Sequence, residues 1–170
     1  MLAAGTDSGI YKFVEVLHIL SGVVGIGAVM LNGLYAAQAM KRPGAGGRAV
    51  SEANFAVSHI AEYVIYTIPV WGIALVGLSD KAWKFSQTWI WLSLLLYFIA
   101  MWISHAVMFP GHKRINELLA EMETSPPAAG GAPPQVVEIQ ELGKRQAMGG
   151  TALDVIVVLL IALMIWKPGV

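Results

Sequence analysis

Residues 11–37 read YKFVEVLHILSGVVGIGAVMLNGLYAA, an apolar run with a histidine, His18, inside it. A helix needs about 20 apolar residues to cross the hydrocarbon core of a bilayer, and this run exceeds that length. An ionisable side chain is costly at such a depth, so its presence there needs an explanation. The stretch therefore predicts a transmembrane helix with a functional or structural histidine.

Three further apolar stretches follow, at about residues 53–78, 87–109 and 148–166. Of the 170 residues, 56% are hydrophobic and 13% are charged, whereas soluble domains contain about 25% charged residues. We therefore predict one integral membrane domain over residues 1–170. Its fold class is all-α, an antiparallel four-helix transmembrane bundle with a long third loop, residues 110–147.

The third loop contains two different segments. In residues 110–123, PGHKRINELLAEME, apolar side chains recur at helical spacing among charged ones, which predicts an amphipathic helix along the inner membrane surface. Residues 125–134, SPPAAGGAPP, have the composition of a linker.

The distribution of lysine and arginine predicts the orientation. Seven lie in the first and third loops and four on the opposite side. The positive-inside rule then places both termini outside, in a plasma (inner) membrane of bacterial type. Tryptophans 83, 89, 91 and 166 gather at the outer level, as an aromatic belt requires.

Composition also excludes several classes of function. The chain has no cysteine, so disulfides, iron–sulfur clusters and thiol nucleophiles are excluded, and any metal must be bound by histidine, methionine or oxygen donors. Its formal charge is zero and it has no basic tract, so nucleic acid is not an expected partner. The expected partners are the lipid bilayer and either a larger membrane complex or further copies of the chain.

Small and polar residues of the first helix recur at spacings of three and four, which places them on one stripe. They are Glu15, His18, Gly22, Gly25, Val29, Asn32 and Ala36. Helices in lipid turn such faces toward one another, so His18 is predicted to face the bundle. Glu15 or a group of the fourth helix is its expected partner, and the roles of ligand and of interhelical strut both stay open.

A second polar layer is predicted nearer the inner side. Counting about 1.5 Å per helical residue puts His59, His105 and Asp154 at one depth, with Glu62 on the same face as His59 and Asn32 close to that level. Two histidines facing each other at one depth can supply both axial ligands of haem b. We therefore predict His59 and His105 as cofactor ligands, with Glu62, Asn32 and Asp154 as the polar shell. His18 would need a partner such as Met164.

Copper is the weaker alternative. Cuprous ion prefers thioether and imidazole donors, and Met101, His105 and Met108 share one face of the third helix. Ordinary packing explains methionines at such positions equally well. The binding of no cofactor at all is a third interpretation.

The chain resembles a group of small integral membrane proteins. The likeness rests on Leu17-His18 before a glycine-rich turn, Pro69 leading to Gly77-Leu78, the Trp83 to Ile90 region, and Pro110 with Lys113-Arg114, within residues 11–120. It is similar to an uncharacterised four-helix family, and beyond it to copper-resistance D-type proteins and HemJ-type protoporphyrinogen oxidases. The HemJ-type resemblance implies a haem ligand at His18, although those proteins carry lysine where this chain has Glu15. The copper-resistance resemblance implies copper movement, although those proteins have tryptophan near Gly25-Ile26-Gly27.

Three functions remain open at this point. The first is a haem b protein for electron transfer, acting as a subunit of a membrane redox complex. The second is a non-catalytic accessory subunit whose histidines are struts, and the third is copper handling. Whether the chain is an enzyme is left open, because it contains no P-loop, nucleophile elbow or HExxH motif.

Overall fold

Our computed structural model describes residues 4–42, 44–124 and 133–170. Within these ranges the chain is helical and contains no strand. Four helices are long and apolar enough to cross a membrane: Gly9–Met40, Ala45–Leu78, Thr88–Thr124 and Pro134–Trp166. The four-helix fold predicted from hydropathy is confirmed.

The first span is interrupted where its glycines lie. It consists of α1 (Gly9–Ser21), a π-helical turn (Gly22–Ile26), α2 (Gly27–Met30) and α3 (Asn32–Met40). The hydroxyl of Ser8 accepts a hydrogen bond from the backbone N–H of Tyr11 and begins the helix. Glycine is a poor helix former, so the glycine-rich segment accommodates a turn with one extra residue.

The second span, α4 (Ala45–Leu78), contains Pro69 in its interior. Proline has no backbone N–H, so the carbonyl of Ile65, four residues earlier, loses its donor within the helix. The hydroxyl of Tyr97 donates to that carbonyl at 3.3 Å. Pro69 thus creates an acceptor that ties the second span to the third.

The third span runs through α5 (Thr88–Ile103), a second π turn (Ser104–Met108) and α6 (Phe109–Thr124). The amphipathic helix predicted at residues 110–123 is present, but it continues α5 through Pro110 instead of starting afresh. The π turn shifts the hydrogen-bond register where Pro110 cannot donate. The side chain of Gln146 then donates to the carbonyls of Val107 and Met108, each at 3.1 Å.

The fourth span, α7 (Pro134–Trp166), begins well before residue 148. The segment predicted as loop 110–147 is therefore helical at both ends. The third and fourth spans each continue as a polar helix beyond their apolar part. The proposed linker, residues 125–134, lies almost entirely outside the described residues. Proline at the start of α7 is favourable, since its missing N–H has no partner there anyway.

The helices pack mainly as two antiparallel pairs. The first span lies along α4, while α5 and α6 lie along α7, and the pairs meet where α6 contacts α4. Gly25 permits the first of these contacts. A Cβ at Gly25 would lie 2.8 Å from Cγ1 of Ile65, so only glycine allows the two backbones to approach this closely.

The two ends of the bundle differ in character. At one end the N–H of Gly5 donates to the carbonyl of Leu78 at 3.1 Å, and Nζ of Lys167 lies 4.2 Å from the ring centre of Trp83. The N-terminal and C-terminal segments therefore share an end. At the other end Arg48 forms an ion pair with Glu123 at 2.6 Å.

Candidate functional site

Glu62 is the centre of a polar cluster between the second and third spans. The residue is 7% exposed. Its Oε1 lies 2.6 Å from Nε2 of His105 and its Oε2 lies 3.3 Å from Nδ1 of His59. The hydroxyl of Tyr66 donates a short hydrogen bond to Oε1 as well. These four side chains, His59, Glu62, Tyr66 and His105, are called the Glu62 cluster below.

Two elements build the cluster. His59, Glu62 and Tyr66 are spaced by three and four residues on α4 and so share one face. His105 comes from the π turn of the third span. Such turns occur frequently at functional sites, because the extra residue redirects a side chain. Tyr66 was not predicted from the sequence, although its position four residues after Glu62 is a usable signal.

The hydrogen bonds of His105 determine where its hydrogen lies. Nδ1 is 2.8 Å from the carbonyl oxygen of Met101. Because a carbonyl can only accept, Nδ1 carries a hydrogen. Nε2 lies 2.6 Å from Oε1 of Glu62, so a proton between these two atoms would form a hydrogen bond with either group as its donor.

Aromatic rings surround the two histidines. The ring centre of Phe109 is 5.7 Å from that of His59 and 5.8 Å from that of His105. These rings reduce contact with water, which strengthens the polar interactions of the Glu62 cluster. The histidine side chains are nevertheless 55% and 50% exposed. Glu62 is therefore buried, while its two histidines reach the outer surface of the bundle.

An open groove of about 380 Å³ lies beside the Glu62 cluster. It lies between the second and third spans, where Tyr66 contacts His105 and Tyr97 contacts Ile65. Its lining residues are Tyr66, Tyr97, Phe98, Met101, Trp102 and His105.

The predicted haem ligands come together, but in an arrangement that does not fit a haem. Axial coordination needs one free nitrogen from each ring, with space for the iron between them. Both nitrogens of His105 are engaged, by Met101 and by the Glu62 cluster. The carboxyl group of Glu62 occupies the space between the rings. In this arrangement the carboxyl group of Glu62 bridges the imidazole rings of His59 and His105.

Two residues of the predicted polar shell lie elsewhere. The amide oxygen of Asn32 accepts a hydrogen bond from Ser58 at 3.1 Å, in the contact between the first and second spans. Asp154 is exposed on α7, beside Thr151 and Val158. Depth along the helix could not give the direction in which either residue faces.

His18 faces the bundle and is bonded to the second span. Its Nδ1 lies 2.9 Å from the carbonyl oxygen of Ile68, whereas Glu15 is exposed. The expected partners, Glu15 or a group of the fourth helix, were therefore wrong. Spacing alone could not show which residues share the inward face with His18. A helical stripe through His18 and Gly25 can pass through Val14 and Ser21 as well as through Glu15, and Val14 and Ser21 are the buried residues.

The predicted copper donors do not converge. Met101 lines the groove with His105. Met108 instead faces α7, where a Cβ at Gly149 would lie 2.9 Å from the Met108 sulfur. Within the described ranges, no group of three or more histidine, aspartate or glutamate side chains is placed to hold a metal ion.

An ion pair fixes the polar end of the bundle, outside the apolar stretches. Arg114 binds Glu138 with two hydrogen bonds, of 2.8 and 3.2 Å, and so joins α6 to α7. Its guanidinium group lowers the pKa of the Glu138 carboxyl group.

Comparison with known protein families shows where the chain belongs. Neither the curated proteins nor the solved structures that were searched contain a match to the chain. A family of predicted integral membrane proteins, DUF2269, matches residues 12–168, which is nearly the whole sequence. The chain therefore belongs to the DUF2269 family of predicted integral membrane proteins.

Proposed function

We propose that this protein takes up and releases protons within the membrane through the Glu62 cluster. In this role it serves as a proton-handling subunit of a membrane redox or transport complex in the plasma membrane, with both termini outside. The observation that carries the proposal is the 2.6 Å contact between a buried carboxyl group and the imidazole of His105.

The energetic cost of the Glu62 cluster supports a functional role. An ionisable residue near the centre of a membrane helix costs about 2.5–3.5 kcal/mol on insertion scales. Four polar side chains satisfy one another here, yet apolar side chains would hold α4 and the third span together without that cost. Intramembrane acid and histidine chains are characteristic of proton relays.

The geometry also supports a path for the proton. Glu62 is buried, so it exchanges protons with water through its neighbours. His59 lies one turn nearer the lysine- and arginine-rich end, which makes it the entrance on that side. His105 borders the groove, which makes it the second point of exchange.

Proton flux into proteoliposomes tests this function. The purified protein is reconstituted around a pH-sensitive dye, and a potassium gradient with valinomycin drives proton entry. We expect flux with the unmodified protein and a fall to the level of protein-free liposomes in E62Q. D154N is the matched control, because it also replaces a carboxyl group within a span by the corresponding amide, outside the Glu62 cluster, and it should retain the flux. Equal flux in E62Q and the unmodified protein would contradict the proposal.

Haem b binding with electron transfer, and copper handling, stay predictions, as does a relation to HemJ-type or copper-resistance D-type proteins. Haem ligation would require Nε2 of His105 to leave Glu62. A visible spectrum of purified protein, oxidised and reduced, distinguishes these functions. A b-type band that is lost in H59A and H105A would replace the proton proposal.

A further inference from the structure

Asp154 lies on the outward face of α7, in the apolar part of the fourth span. Among the residues that the structure describes, none forms a hydrogen bond or an ion pair with its carboxyl group. Its neighbours in a shallow depression are Thr151, Val155, Val158 and Leu159. The hydroxyl of Thr151 donates within its own helix, to Ala147 at 2.9 Å. A single polar group therefore stands on a surface that otherwise suits lipid.

This position is distinct from the face of α7 that packs inside the protein. Ile156 is 8% exposed, and Gly149 lies against Met108. Asp154 points away from both, together with Val158 and Ile161, which are 62% and 55% exposed. Carboxyl groups facing lipid are rare, and those in spans normally have a partner. Asp154 has none within the part of the chain that is described, so a partner from another molecule is indicated.

We propose that this face of α7 joins two copies of the chain, with their Asp154 carboxyl groups hydrogen-bonded to each other. Two copies inserted in the same direction are related by a two-fold axis along the membrane normal, so each residue lies level with its counterpart. Two carboxyl groups that share a proton act as donor and acceptor together. The Asp154 of a second copy is therefore a hydrogen-bonding partner that already lies at the required depth. A different protein would need its own hydrogen-bond donor at that depth.

The backbone near Asp154 suits such a contact. A Cβ at Gly150 would meet nothing within 4 Å, and the same holds at Gly143. Both glycines lie on the Asp154 stripe, at spacings of three and four residues through Ala147. Small residues let two membrane helices approach closely. The stripe continues through apolar side chains that can interlock beyond the carboxyl pair.

Cysteine cross-linking tests the contact with a single thiol in each chain, because the sequence contains no other cysteine. V158C places a thiol on the proposed face, and V23C is the matched control. Val23 lies on the first span and is 67% exposed, close to the 62% of Val158. Oxidation in native membranes should give a disulfide-linked dimer with V158C and none with V23C. Equal cross-linking at the two positions would overturn the proposal.

Second-site variants test the role of Asp154 itself. In a V158C background, D154N keeps a self-complementary side chain and should preserve cross-linking. D154L should reduce it about five-fold, the ratio expected from loss of about 1 kcal/mol of interhelical hydrogen bonding. Undiminished cross-linking in D154L would refute the carboxyl pair. A monomeric mass for the unmodified protein by light scattering in mild detergent, or cross-linking of V158C only to a different polypeptide, would exclude the second copy.

Discussion

At the scale of single residues, Tyr66 holds the Glu62 carboxyl group in place. Its hydroxyl donates to Glu62 and lies 2.8 Å from Nε2 of His105, so it touches both partners of the proton contact. Hydrogen bonds to charged groups contribute about 1.5–3 kcal/mol. Tyr66 is thus a positioning residue for the proposed proton exchange.

Y66F should shift the carboxyl stretching band of protonated Glu62 to higher frequency, because the oxygen loses a donor. Infrared difference spectra of proteoliposomes between high and low pH measure the band, and its absence from E62Q assigns it. Y63F is the control, since the Tyr63 ring contacts that of Tyr66 but its hydroxyl does not bond Glu62. The same band position in Y66F and in the unmodified protein would show that Tyr66 does not position the carboxyl group.

The sequence predicted which residues come together in the candidate site better than it predicted the hydrogen bonds that they form. Depth along each helix was sufficient to place His59, Glu62 and His105 together. It could not show that Glu62 would be the centre, because spacing within one helix does not say which side chains reach across from another. Asp154 is exposed on α7 instead of facing the Glu62 cluster, because the apolar part of α7 has few other polar residues that would fix its rotation.

At the scale of elements, the contact between the first and second spans depends on Gly25. A Cβ there would lie 2.8 Å from Cγ1 of Ile65 and 3.2 Å from its backbone nitrogen, whereas a Cβ at Gly22 would meet nothing within 4 Å. The two glycines share the π turn of the first span and differ only in what faces them.

G25A should therefore lower the unfolding temperature in detergent, because overpacking costs about 1–3 kcal/mol. G22A is the matched control and should leave the temperature unchanged or raise it, since alanine is the better helix former by about 1 kcal/mol. Equal unfolding temperatures for the two variants would argue against close contact at Gly25.

Hydropathy located all four spans, because the number of apolar residues decides which segments enter lipid. It missed the part of α7 before residue 148, which is polar and which contacts α6 through Arg114 and Glu138. It also missed both π turns. The glycines and Pro110 weaken the regular helix there, but the side chain that supports the second turn, Gln146, is distant in sequence.

At the scale of the whole molecule, charged side chains hold the polar end together. Arg114 joins α6 to α7, and Arg48 joins α4 to α6. These pairs are solvent-exposed, so each contributes little alone, and their effect depends on pH and salt.

The Arg114–Glu138 pair predicts loss of stability in acid. The pKa of Glu138 is lowered in the folded protein, so its contribution is complete above the ordinary carboxyl value of about 4.5. It disappears as pH falls through the lower, folded value. Thermal unfolding of the unmodified protein should weaken over this range, and E138Q should show a smaller change. An identical pH profile for E138Q would exclude the pair as a source of acid sensitivity.

The packing of the spans into two pairs also affects how the chain is assembled. The first two spans bury their own seam, and so do the last two, which means that each half can form a hairpin as soon as it has been inserted. Docking of the hairpins is then a separate event, and the connection at residues 79–87 contacts both of them, since Trp83 bonds Tyr11 and lies against Lys167. Two separately expressed fragments, divided in that connection, should reassemble in the membrane. The Glu62 carboxyl group meets His105 only when they do, so the proposed proton contact exists only in the fully assembled molecule.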